Sequence, residues 1–183
     1  EVTLSPEAIE QYVDDPSIKT GPAKAIQVIS INHGNTNNNG ILGNLNFRKA
    51  LFYAVDRESI AKMTNGIPAN YLVASKCLGL DGKTYRDMEE SQALLEPNLG
   101  YDPAKAKELL TEAGYPDGFS CQLWVNGDVR TRSAQMVQAQ LAEIGITVDI
   151  STMEWGAFLD ALNAGEHEMF ILGWSNSSFD AGS

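Results

Sequence analysis

Residues 101–119, YDPAKAKELLTEAGYPDGF, open a run that continues through QMVQAQLAEIGITVDI (135–150) and EWGAFLDALNAGEHEMFILGW (154–174) with little slack between its parts. Asp102 offers a side-chain oxygen to the free amides of a first helical turn, and Pro103 loses nothing there because its missing N–H would be unpaired anyway. Ala104, Ala106, Leu109, Leu110 and Ala113 form an apolar stripe at helical spacing. Gly114 followed by Tyr115-Pro116 supplies a left-handed cap and a residue that cannot continue the helix, so the sequence predicts a helix over 103–113. Residues 119–125 read as a strand, and helical spacing returns over 133–144 through Met136, Val137, Leu141 and Ile144, closed by Gly145. Residues 147–152 are short and β-branched, 155–164 form a compact helix ending at Gly165, and 169–174 are an apolar strand. Strand, helix, strand, helix, strand implies parallel pairing through right-handed crossovers, the arrangement of an α/β ligand-binding lobe.

Outward from that run the signals are sparser. Ser5 and Pro6 begin a short helix to about residue 13, stopped by Asp14-Asp15-Pro16. AIQVISIN (25–32) carries the β-branched content of a buried strand and is expected near the sheet centre. HGNTNNNGILGN (33–44) is rich in Asn and Gly, which favour turns, and reads as an exposed loop. Phe47, Ala50, Leu51 and Ala54 share one face of a helix over 46–55, and Asp56 is placed to cap a second helix that runs through Met63 and stops at Gly66. Over 67–99 regular periodicity fades.

A chain of 183 residues can bury one good core, and 43% hydrophobic with 20% charged residues is ordinary for a globular domain. No apolar stretch approaches the roughly 20 residues of a membrane helix. The net charge of −11 argues against a nucleic-acid partner, which would want clustered Lys and Arg. Cys77 and Cys121 are too few for a disulfide framework and are read as unpaired thiols.

Five segments in register resemble the second lobe of extracytoplasmic solute-binding proteins of the oligopeptide and dipeptide type, family 5, that serve ABC importers. They are LSPEAIEQYVDDP (4–16), NFRKALFYAVDRESIAKMTNG (46–66), YDPAKAKELLTEAGYPDGF, QAQLAEIGITVDI and EWGAFLDALNAGEHEMFILGW. The resemblance implies an α/β lobe with a mixed, mainly parallel sheet flanked by helices. Residues 1–183 would be a single second lobe whose partner lobe lies elsewhere in the protein, and the start at Glu1, without signal peptide or lipid-attachment cysteine, is expected to reflect a fragment. It also implies an extracytoplasmic location, periplasmic or lipid-anchored at the outer face of the membrane, a peptide or other small solute as ligand, a membrane permease as partner, and no cofactor.

Trp174 ends an apolar strand, and the carboxyl ends of strands are where open α/β sheets bind ligands. In the resembling family the corresponding Trp lines the cleft, which makes Trp174, Ser175, Asn176, Ser177 and Asp180 the expected contacts. Trp155 is a further candidate, with packing as its alternative role. Many peptide binders of the family carry an Asp three residues after the strand-end Trp to hold a peptide amino terminus, where this chain has Ser177. Asp180 matches a later family Asp, with Ala181 in place of the proline that follows it. Leu162 stands where some members have an Arg for the peptide carboxylate, so a longer peptide, a sugar or another solute such as a metal chelate stays open beside a dipeptide. Arg130 and Arg132 are expected in the loop entering the helix at Ser133, either as anion contacts or as solvated charges.

An enzyme has less support. His33 and His167 have no acidic or thiol neighbours at metal-ligand spacing, and there is no G-x-S-x-G elbow, P-loop or dinucleotide fingerprint. The sensing lobe of a transcriptional or signalling regulator is the other alternative, which a helix-turn-helix in place of an export signal would mark.

Overall fold

The carboxyl end of one strand and the first turn of the next helix follow each other so closely in this chain that strand order largely determines where functional side chains lie. The computed structural model describes residues 11–12, 15–17, 25–69, 82 and 100–175. Most of the helix expected over 5–13, Cys77 and nearly all of 67–99 lie outside those residues, although Gln11 and Tyr12 are helical. The chain divides into two compact units, the larger made of Gln27–Asp56 and Ala93–Trp174 and the smaller of the remainder. In the smaller unit the helix α2 (Arg57–Met63) is described, with Ala61 buried.

The larger unit holds β1 (Ala25–Ile31, from its third residue), α1 (Leu45–Ala54), α3 (Pro103–Glu112), β2 (Ser120–Val125), α4 (Asp128–Glu143), β3 (Thr147–Thr152), α5 (Trp155–Asn163) and β4 (Met169–Ser175, to Trp174). The sheet order is β1-β4-β2-β3. β2 pairs in parallel with β3 from Ser120↔Thr147 to Val125↔Thr152, and with β4 at Leu123↔Met169 and Trp124↔Phe170. Asn32 N–H, just past β1, donates at 2.9 Å to the carbonyl of Glu168, just before β4, so these two neighbours run in opposite directions and the sheet is mixed. The α/β architecture and the parallel crossovers expected from the sequence are present.

Local chemistry accounts for the helices. Asp102 caps α3 by accepting from Lys105 N–H at 2.9 Å, with Pro103 as its first residue, and Ala106, Leu109 and Leu110 face the core. Asn44 caps α1 by accepting from Asn46 N–H at 2.8 Å, and Phe47, Ala50, Leu51 and Ala54 are buried as their spacing predicts. α1 packs on α3, and α4 covers β3 and β2 through Ala134, Val137 and Leu141. Gly118 and Gly145, both with positive φ, bring two turns into close backbone approach: a Cβ on Gly118 would sit 1.9 Å from the Gly145 carbonyl oxygen. That approach lets Thr147 N–H reach the Phe119 carbonyl at 2.9 Å and starts the β2–β3 pairing.

Three expectations need correction. β1 is an edge strand of the four, not a central one, and Val28, Ile29 and Ile31 along it are only half-buried. An apolar β-branched run records burial on two faces and not the number of neighbouring strands. Residues 33–44 are not simply an exposed loop: Asn37–Gly43 form a kinked 3-10 segment with Asn38, Asn39 and Gly40 left-handed, and Ile41 and Leu42 are buried in the core. Arg130 and Arg132 are not in a loop, since α4 begins at Asp128, five residues before the expected start; the apolar stripe sets in only at Ala134 and conceals the polar first turn.

Candidate binding wall at the carboxyl ends of the strands

With β3, β2 and β4 parallel, their carboxyl ends share one edge of the sheet. Arg130 is the third residue of α4, directly after β2; Trp155 is the first residue of α5, directly after β3; Trp174 is the penultimate residue of β4. Topology therefore brings these three sequence-predicted residues to the same edge. Phe170 pairs with Trp124 and β2 ends at Val125, whereas Trp174 lies four residues past Phe170. β4 thus carries Trp174 three residues beyond the end of β2, about 10 Å at ~3.3 Å per residue.

Both tryptophans are presented to solvent, Trp155 at 47% and Trp174 at 65% exposure, which is unusual for side chains of this size. Trp155 is neither free nor core: it stacks on buried Phe158, one turn along α5, with ring centroids 6.0 Å apart and planes 20° from parallel. Phe158 meets Phe170 edge-on at 6.2 Å, Phe170 meets His167 at 5.0 Å, and His167 meets Trp124 at 6.2 Å. A row of rings thus backs the exposed indole. Ser175 ends β4 and is exposed, while Asn176, Ser177 and Asp180 lie outside the described residues. Leu162, in the Arg position of some family members, is half-buried on α5.

Arg130 is half-buried, and its Nη1 donates to the Asn126 carbonyl at 3.1 Å. Its Nε is buried with no hydrogen-bond partner among the described residues. Gly127, at φ 83°, caps α4 without a side-chain hydrogen bond. A buried guanidinium N–H without a partner among the described residues suits an anionic or carbonyl group. Asn126 itself was not foreseen: its Nδ2 donates to the Met153 carbonyl at 2.7 Å. An Asn-Gly pair between a strand and a helix was the available signal.

The opposite end of the sheet is closed by polar side chains. Asn32 Nδ2 donates to the carbonyls of Gly165 (3.1 Å) and His167 (3.0 Å), Asn35 Nδ2 to His167 (3.1 Å), and Asn38 Nδ2 to Ser120 (2.7 Å). Tyr115 Oη donates to the Asn38 carbonyl. Glu168, 4% exposed, accepts from Asn37 Nδ2 at 2.7 Å and from Gln122 N–H. Beside it, burial first and the Glu168 charge second push the thiol of free, buried Cys121 up to about 12, which leaves it a small apolar group. Burial holds the His167 imidazole below its ordinary value. Among the described residues no group of three His, Cys, Asp or Glu could hold a metal ion, and no helix is long and apolar enough to cross a membrane.

Comparison with known proteins gives a consistent picture. Residues 2–183 match the family described as Bacterial extracellular solute-binding proteins, family 5 Middle. A dipeptide-binding protein of Escherichia coli (strain K12) is 35% identical over 149 residues, covering 76% of this chain and 25% of that protein. Heme-binding protein A of Haemophilus influenzae is 34% identical over 145 residues, covering 75% and 24%. The solved structure of the ABC transporter-associated periplasmic binding protein DppA from Helicobacter pylori, in complex with the peptide STSA, is similar with a TM-score of 0.66 and 28% identity, over 95% of this chain and 32% of that one. The chain spans about a quarter of the length of the curated relatives it matches.

Proposed function

Because this chain belongs to the bacterial extracellular solute-binding proteins of family 5, we propose that residues 1–183 supply the second lobe of the substrate-binding component of an ABC importer, a binding protein and not an enzyme. The observation that carries this reading is the convergence of Arg130, Trp155 and Trp174 on one edge of the sheet, two of them exposed indoles. Ligand enters an open cleft between two lobes, contacts both walls, and favours closure by its higher affinity for the closed state, which a membrane permease then recognises. This chain contributes one wall, and Ser175, Asn176, Ser177 and Asp180 are proposed as further ligand contacts. The location is extracytoplasmic, either periplasmic or lipid-anchored at the outer face of the membrane.

Peptides of two to several residues are the proposed ligands, supported by the dipeptide-binding relative and the peptide-bound neighbour. The exposed indoles serve side chains and backbone through their flat apolar faces, and Arg130 serves a carboxylate or carbonyl. A flat non-peptide solute is the second reading; it is favoured by Leu162 and Ser177, which remove two charged groups that suit zwitterions, and by the heme-binding relative.

The test is a thermal-shift screen of the full-length, two-lobed protein against di- to pentapeptides, sugars, heme and ferric chelates, since a ligand that binds only the folded state must raise its melting temperature. Stabilisation by peptides supports the first reading. Stabilisation confined to heme or a chelate moves the assignment to the second, and no stabilisation by any of them rejects both.

A further inference from the structure

Met153 lies one residue past β3, and both of its backbone polar groups are taken by the end of β2. Its N–H donates to the Val125 carbonyl at 3.2 Å, and its carbonyl accepts from Asn126 Nδ2 at 2.7 Å. The backbone of β2 cannot supply that second bond by continuing the ladder, because the chain turns away at Gly127 into α4. The Asn126 side chain takes the place of the missing strand residue. Two residues after Met153, α5 begins with Trp155. The carbonyl of the same Asn126 receives the Arg130 guanidinium at 3.1 Å. One residue thus touches both the turn that launches Trp155 and the guanidinium of Arg130.

We propose that Asn126 is a positioning residue of the binding wall: its side-chain amide fixes the direction in which α5 leaves β3 and presents Trp155, while its carbonyl holds the guanidinium of Arg130 on the first turn of α4. The proposal rests on the reading of this edge as the ligand-binding surface. The chemistry is selective for Asn. Asp has the same size but would set oxygen against the Met153 carbonyl, and Ala leaves that half-buried carbonyl without its donor. A wall group displaced by a fraction of an ångström loses much of its binding contribution, because binding depends on the shell that holds contact residues in place.

The test uses full-length, two-lobed protein labelled with 5-fluorotryptophan, with Trp155→Phe to assign the Trp155 fluorine resonance, and trialanine and pentaalanine as probes. In Asn126→Ala and Asn126→Asp the Trp155 resonance is expected to shift or broaden while the protein stays folded. Affinity for whichever probe binds the wild type falls about tenfold, and in a Trp155→Ala background Asn126→Ala adds little further loss. A Trp155 resonance unchanged in both variants overturns the proposal, whether or not a peptide binds. So does global unfolding of both, which would assign Asn126 a general structural role. Failure of both probes to bind the wild type counts against the peptide reading alone, because the fluorine signal judges the positioning independently.

Discussion

Asn37 Nδ2 donates to Glu168 Oε1 at 2.7 Å across a sequence separation of 131 residues, tying the Asn-rich segment to the start of β4. The other carboxylate oxygen accepts from Gln122 N–H of β2, so one buried side chain joins three segments. Glu168→Ala removes the acceptor for two donors and leaves a cavity, and is expected to cost about 2–4 kcal/mol, since each buried donor left unsatisfied costs ~1–3 kcal/mol. Glu168→Gln should cost clearly less, because its amide oxygen still serves Gln122 and Asn37 can turn its own oxygen toward the new NH2. Urea denaturation of the two variants checks the order; equal losses would mean that the charge, not the acceptor geometry, is what matters.

Gly118 and Gly145 give a sharper contrast. At Gly118 a Cβ would meet the Gly145 carbonyl oxygen at 1.9 Å, backbone that cannot swing aside, and φ is +75°. Gly118→Ala is expected to destabilise by at least about 3 kcal/mol or to prevent folding, from clash and left-handed strain together. At Gly145 φ is +91° but the nearest atom lies at 3.4 Å. Gly145→Ala carries only the conformational penalty, about 1–2 kcal/mol. Melting temperatures of the two variants measured side by side decide the point.

Where local chemistry decides, the sequence was readable. Asp102-Pro103 starts α3, Thr147–Thr152 is a strand bounded by Gly145, and Phe47, Ala50, Leu51 and Ala54 form a buried face, each as the residues require. Trp174 was legible as a candidate from its place at a strand end and Trp155 through the family resemblance, whereas Arg130 was named as a candidate in a loop that is in fact the first turn of α4. What escaped depends on partners far away in the chain. Nothing in AIQVISI distinguishes an edge strand from a central one, and nothing in NTNNN tells that its amides will bond His167, Glu168 and Ser120 instead of water. Asn126 belongs to the same class: a single side chain replacing a strand partner leaves no periodic trace.

Acid should weaken the larger unit through His167. Its ring lies against Trp124 and Phe170, its Nδ1 has no hydrogen-bond partner among the described residues, and burial lowers its pKa below 6.5. The unfolded chain therefore binds the proton more readily than the folded one. Its contribution is intact above about pH 6.5 and is lost progressively as pH falls from there toward the depressed folded value, where it levels off. His167→Phe keeps a flat ring against the same neighbours without a titrating group. The difference in urea midpoint between wild type and variant should grow in the variant's favour between about pH 7.5 and 5; a difference that stays constant with pH would show that His167 titrates alike in both states.

Trp174 and Phe158 separate binding from stability. Phe158 is fully buried beneath Trp155, and Phe158→Ala is expected to cost about 3–5 kcal/mol as a large-to-small core change. Trp174 is 65% exposed, so Trp174→Ala should alter stability by no more than about 0.5 kcal/mol, the usual range for surface positions. If its indole forms part of the cleft, the same substitution in the full-length protein should weaken peptide binding by tenfold or more, since buried aromatic anchors dominate binding free energies. Calorimetric titration together with a melting curve reads both quantities on one sample. Lost affinity with an unchanged melting temperature places Trp174 on the ligand; unchanged affinity removes it from the wall and leaves Trp155 and Arg130 to carry the site.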